Sequence, residues 1–119
     1  MRLLFAALSL FVSLSLLAGE AELNAAITAL QSPDTLLIDV RSAEEFAAGA
    51  LPGAQRIGHE EIAAQIGTLA PDKDTPIVLY CRSGRRSALA EESLRALGYS
   101  NLINAGGYDE LKRALESQD

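Results

Sequence analysis

Ile77-Val78-Leu79-Tyr80-Cys81-Arg82-Ser83-Gly84-Arg85-Arg86-Ser87 decides how this chain folds. Ile77 to Tyr80 is a short apolar run, the pattern of a buried strand. Ala88 to Leu97 follows with helical spacing, and Gly98 stands at the C′ position where helices end. Between them sits the only cysteine of the chain, followed within five residues by Arg82, Arg85 and Arg86. A thiol at a strand tip facing a helix start is placed to become a thiolate. Helix N-termini carry unsatisfied N–H groups and about half a positive charge, which favours an anion there.

Each residue of the loop has a chemical use. Cys81 acts as a nucleophile only as thiolate, and nearby arginine with a helix N-terminus lowers a thiol pKa. Arg82, Arg85 and Arg86 supply permanent positive charge that draws a small anion toward the sulfur, or they solvate an exposed helix start. Arg82 has the further option of pointing outward. Ser83 lies within the curl, and Gly84 can take φ > 0, so that successive N–H groups turn inward as a nest. Ser87 either donates its O–H to the thiolate or caps the helix.

The flanking sequence alternates helical and strand patterns, which predicts an α/β domain with a mostly parallel sheet. Ala21 to Leu30 has helical spacing and is stopped by Ser32-Pro33-Asp34. Leu36 to Val40 reads as a buried strand. Ser42 and Glu45 form a capping-box pattern opening a helix through Ala48, and Gly49 ends it. Leu51-Pro52-Gly53 is turn chemistry. Ala54 to Ile57 is a weak strand, and His59 to Ile66 a helix with Gly67 just past its end. Leu102-Ile103 is a last short strand, Ala105-Gly106-Gly107 a tight loop, and Tyr108 to Leu115 a closing helix. Sites in parallel sheets form beyond the carboxyl ends of strands. Asp39 to Arg41, Cys81 and Asn104 to Gly107 all stand at such ends, and they meet on one rim if their strands are neighbours. Asp39 and Arg41 are therefore supporting candidates. They contact the loop from the adjacent strand, or Asp39 fixes backbone N–H groups and supports loop geometry without touching substrate. His59, the only histidine, reads as surface or packing. With no histidine pair and no second cysteine, no metal site is expected. No glycine-rich nucleotide fingerprint is present, and no cofactor is expected.

The whole chain has 119 residues, with 16 acidic and 10 basic side chains and a net charge of −6, which argues against nucleic acid as a partner. Its first residues read as a signal peptide, residues 1–21. Arg2 is the n-region, and Leu3 to Leu17 is a 15-residue uncharged apolar run. Gly19-Glu20-Ala21 fits a small-x-small site with cleavage after Ala21. The run is shorter than the roughly 20 residues of a spanning helix, so cleavage is expected rather than anchoring, with no stable membrane association afterwards. The mature chain is then residues 22–119, one domain, periplasmic or secreted. Export implies an oxidising compartment, yet one cysteine makes no internal disulfide.

Cys81-Arg82-Ser83-Gly84-Arg85-Arg86-Ser87 resembles the active-site loop of the rhodanese family of sulfurtransferases. Ile38-Asp39-Val40-Arg41-Ser42 with Glu44-Glu45-Phe46 is similar to its first signature. Gly49 to Ala54 is similar to its second, although Ala50 stands where the family often has His. Leu97-Gly98-Tyr99 and Asn104 to Gly107 resemble its C-terminal part. With the export signal, the chain is most similar to exported single-domain rhodaneses of the phage-shock protein E type. The resemblance implies a single rhodanese-like domain over residues 22–119, its central sheet flanked by helices. It also implies transfer of the outer sulfur of thiosulfate through a Cys81 persulfide to cyanide, a small thiol or a thioredoxin-like protein. Arg82 to Ser87 would then bind the donor and cradle the persulfide. Alternatives on the same fold are a non-catalytic or redox binding module, and a phosphatase or arsenate reductase. Loop length speaks against the last pair. Arg86 stands at Cys-x4-Arg, one residue short of the Cys-x5-Arg ring that encircles phosphate.

Overall fold

The computed structural model describes residues 19–118. The leader reading falls mostly on residues 1–18, outside the described residues. A helix, α1, covers residues 19–30 and so runs through the expected cleavage point after Ala21. It is followed by β1 (Leu36–Asp39), α2 (Ala43–Ala48), β2 (Gln55–Arg56), α3 (Ile62–Leu69), β3 (Ile77–Cys81), α4 (Arg85–Ala96), β4 (Leu102–Gly107) and α5 (Tyr108–Glu116). No helix among the described residues is long and apolar enough to cross a membrane.

The four strands form one parallel sheet in the order β2-β1-β3-β4. All five residues of β3 are buried, as a central strand covered on both faces requires. Strand periodicity then sorts the core. Ile77, Leu79 and Cys81 point to one side, where they pack with Ile38, Val40, Ile62 and Ile66, and with Ala90 and Leu94 of α4. Val78 and Tyr80 point to the other side, against Ala26 of α1 and Leu111 of α5. Cys81 therefore lies beneath α4, and Asp39, paired in register with Tyr80, belongs to the opposite face.

Three boundaries differ from the sequence expectation. The helix expected from His59 begins at Ile62 and runs through Gly67 to Leu69. His59 and Glu60 lie instead in a turn closed by the Glu61 N–H on the Gly58 carbonyl, 2.9 Å. Burial decides this shift, since Ile62, Ile66 and Leu69 make the stripe that meets the core. The central helix starts at Arg85, three residues before Ala88. Its N-cap, Gly84, sits at φ +98° without any side-chain cap, so the usual start signal is missing. Finally, Ala105-Gly106-Gly107 is not a loop but the end of β4. Pairing shifts there, with Leu79 opposite Asn104 and Tyr80 opposite Gly106, so Ala105 is an extra residue. Gly107 has to be glycine for space: a Cβ would lie 2.7 Å from the Arg82 carbonyl oxygen.

Candidate active site

The carboxyl ends of β1, β3 and β4 lie side by side, since β3 pairs with both neighbours. β3 delivers Cys81 to this rim, and the chain turns through Arg82-Ser83-Gly84 straight into α4. The turn folds over the sulfur. Cys81 has no solvent exposure, and its Sγ accepts the Gly84 N–H at 2.9 Å. The Ser87 hydroxyl stands 3.5 Å from the same sulfur. The thiol thus satisfies the backbone N–H of the N-cap residue itself, the task an N3 Glu performs in a capping box. Burial raises the thiol pKa, but hydrogen bonds from the Ser87 hydroxyl and from the N–H groups of Ser87, Ser83 and Gly84 outweigh it. The thiol is held below its ordinary value, which favours thiolate.

The three arginines are not equivalent. Arg86 donates to Glu45 Oε1 at 2.7 Å and to Oε2 at 3.0 Å, a bidentate pair that joins α4 to α2. Its charge is largely answered by that carboxylate, so it braces the loop more than it offers itself to a ligand. Arg82 and Arg85 are exposed, and among the described residues neither forms an ion pair. They remain as rim cations. Arg82 also borders a pocket of about 230 Å³ lined by Arg41, Glu45, Ala48, Tyr108 and Asp109.

Glu45 fills the capping role read from the sequence and takes on a second one. The expected capping box is present, with the Ser42 hydroxyl accepting the Glu45 N–H and Glu45 Oε1 accepting the Ser42 N–H. The pair to Arg86 spans 41 positions and has no local signal. Arg86, and secondarily Ser42, hold the Glu45 carboxyl down at about 2 against partial burial. The folded value lies below the unfolded one of about 4.3, so this stabilisation is complete above roughly pH 4.5 and is lost as pH falls toward 2. Between pH 5 and 3, about the window set by those values, wild type should lose more stability than Glu45→Gln, read as urea midpoints. Parallel curves for the two proteins would show that the pair contributes nothing to folding.

Asp39 and Arg41 do not reach the loop through hydrogen bonds. Asp39 is fully buried and accepts the Arg41 backbone N–H at 2.9 Å, Nε at 3.0 Å and Nη2 at 2.7 Å. Arg41 Nη2 also donates to the Gly49 carbonyl at 2.7 Å, and the guanidinium carbon lies 4.5 Å over the Tyr108 ring and 5.6 Å over Tyr80. Asp39 thus fixes a backbone N–H, its own strand end's rather than the loop's. The reason is the alternation of β1, which turns Asp39 away from the face that holds Cys81. The sequence places Asn104 at the third strand end of the rim and assigns it no role of its own. Its Nδ2 donates to the Gly84 carbonyl at 3.3 Å, and its Oδ1 accepts from Ser87 Oγ at 2.7 Å and from the Gly106 N–H at 2.9 Å. His59 lies 3.8 Å from Glu60 in its turn, and no hydrogen bond joins it to the loop among the described residues.

Fold and site together define a class: single-domain α/β proteins that hold one cysteine under a short cationic loop at the carboxyl edge of a parallel sheet. The profile of the family described as rhodanese-like domain matches residues 22–114, and the chain belongs to that family. It is 38% identical over 74 residues to thiosulfate sulfurtransferase PspE of Escherichia coli (strain K12), covering 62% of this chain and 71% of that one. It is 37% identical over 94 residues to the thiosulfate:glutathione sulfurtransferase of Homo sapiens, covering 68% and 82%. Among solved structures, a rhodanese with anions from E. coli superposes with a TM-score of 0.62 at 37% identity, covering 64% of this chain and 89% of that one. These matches support sulfur transfer as the general chemistry of the chain.

Proposed function

We propose that the chain is a thiosulfate sulfurtransferase working through a persulfide on Cys81. The single observation that carries the reading is the seat of the sulfur, with the Gly84 N–H at 2.9 Å and the Ser87 hydroxyl at 3.5 Å. The relatives named for thiosulfate support the donor. Cys81 thiolate attacks the outer sulfur of thiosulfate, the S–S bond breaks, and its electron pair leaves with sulfite. The persulfide anion left on Cys81 is stabilised by the N–H groups that now face Sγ, as an oxyanion hole stabilises oxygen. Arg82 and Arg85 draw the dianionic donor to the rim. Cys81 is fully buried, so the donor has to reach Sγ past the Arg82–Gly84 turn. The acceptor is a nucleophile: cyanide, a small thiol, or the thiol of a thioredoxin-like protein. Reaction takes place in the periplasm or outside the cell, after removal of residues 1–21.

Intact mass tests the reading. Incubation with thiosulfate should add one sulfur, about 32 Da, to the protein, and cyanide or a small thiol should remove it, as a covalent intermediate requires. An unchanged mass accompanied by no sulfite release would overturn the proposal. On protein recovered from an exporting cell, the same spectrum reads the processing point, expected before Glu22.

A further inference from the structure

The geometry points to Asn104 as a positioning residue for the reactive sulfur: it holds the Ser87 hydroxyl proton while Cys81 is a thiol and yields it when the sulfur becomes an anion. This inference rests on the persulfide reading above for its purpose, though not for its test.

Ser87 is fully buried, and its hydroxyl carries one proton. Three acceptors stand within reach of Oγ: Asn104 Oδ1 at 2.7 Å, the Gly84 carbonyl at 3.1 Å and Cys81 Sγ at 3.5 Å. The shortest contact assigns the proton to Asn104 in the resting state. Cys81 can then donate its own S–H to Ser87 Oγ, and every group is satisfied. Once the thiol proton has left to water, Sγ is purely an acceptor, and rotation of the Ser87 O–H toward it adds a hydrogen bond to the anion. No covalent bond in Ser87 breaks. Asn104 Oδ1 is not orphaned by that rotation, because it keeps the Gly106 N–H at 2.9 Å. Its amide is held from the other end as well, by Nδ2 on the Gly84 carbonyl. The extra residue in β4 lies immediately after Asn104, and bulges of this kind aim a side chain.

Other groups around the sulfur do not perform this task. From α4 it is faced by Arg86, which is paired to Glu45 of α2, while Arg82 and Arg85 are exposed. The self-contained Asp39–Arg41 pair at the end of β1 faces away from the sulfur, and Glu110 of α5 stands beside Gly107. Among the described side chains, only the Ser87 hydroxyl stands within hydrogen-bond distance of Sγ and can choose between it and another acceptor by rotating.

The test is a thiolate titration followed by ultraviolet absorbance, with Cys81→Ala as the blank. Cys81 is the only cysteine, so the signal has one source. Asn104→Ala removes the competing acceptor and should lower the thiolate midpoint by roughly 0.5–1 pH unit, the scale of one hydrogen bond. In a Ser87→Ala background the same change should move the midpoint by nothing measurable. Should Asn104→Ala unfold the protein, Asn104→Asp serves, since it preserves size and acceptor. It should raise the midpoint, and by more when Ser87 is present than when it is Ala. A rise in Asn104→Ala, or equal shifts in the two backgrounds, would overturn the inference and leave Asn104 as a brace for the loop. The mass gain with thiosulfate is read separately on each variant, so failure of the persulfide reading cannot be mistaken for failure of this one.

Discussion

Cys81→Ala is expected to lose thiosulfate-dependent sulfite release by at least about 10³-fold while remaining folded. The chain has no second cysteine to take over a covalent intermediate, so the loss reflects removal of a whole pathway rather than of one contact. Structurally the change is small. It deletes one heavy atom from a packed site and leaves the Gly84 N–H without its acceptor, together about 1–2 kcal/mol. A domain with a stability of about 5–15 kcal/mol survives that. Cys81→Ser, which retains an acceptor for Gly84, should recover most of the stability and none of the activity. Circular dichroism together with a sulfite assay separates the two effects. Turnover persisting in either variant would place the chemistry elsewhere than at Cys81.

Asp39→Ala should cost about 3–5 kcal/mol of stability while leaving the reactive sulfur untouched. Asp39 is fully buried and Arg41 is 6% exposed, so the variant leaves a guanidinium shut inside the fold with its carboxylate gone. The Gly49 carbonyl and the rings of Tyr80 and Tyr108 offer it only partial compensation. Removing both charges should harm less. Asp39→Ala with Arg41→Met is expected to be more stable than Asp39→Ala alone, because desolvation of the cation no longer has to be met. Urea midpoints on the three proteins decide it. A loss under about 1 kcal/mol in the single variant, the size of a surface pair, would show that the pair is idle. The folded fraction of each variant should still take up sulfur, since the pair faces away from Cys81.

The same parity that separates Asp39 from Cys81 explains which parts of the site were legible beforehand. The strand–turn–helix around Cys81, the capping box at Ser42, and the three strand ends are all local patterns of period or punctuation. Each could be read within about ten residues, the range over which backbone geometry dictates side-chain placement. Helix boundaries were less legible where the cap was not a backbone neighbour. The start of α4 is set by Gly84 turned into the left-handed region and by a thiol three residues back, and neither is a standard start signal. The end of β4 was missed because three small residues read as a loop, whereas pairing to Tyr80 and Cys81 makes them strand.

By itself the sequence determined the α/β class, the parallel sheet and the placing of one cysteine at a strand tip before a helix, all consequences of local periodicity. It could not decide which arginine is answered by a carboxylate, which face Asp39 takes relative to the sulfur, or which acceptor holds the Ser87 proton. Those depend on Glu45 meeting Arg86 across 41 positions, on strand register, and on Asn104 meeting Ser87 across 17. Hydrogen bonds and ion pairs act over a few ångströms in space, so only the packed sheet and its helices settle who is near enough to make them.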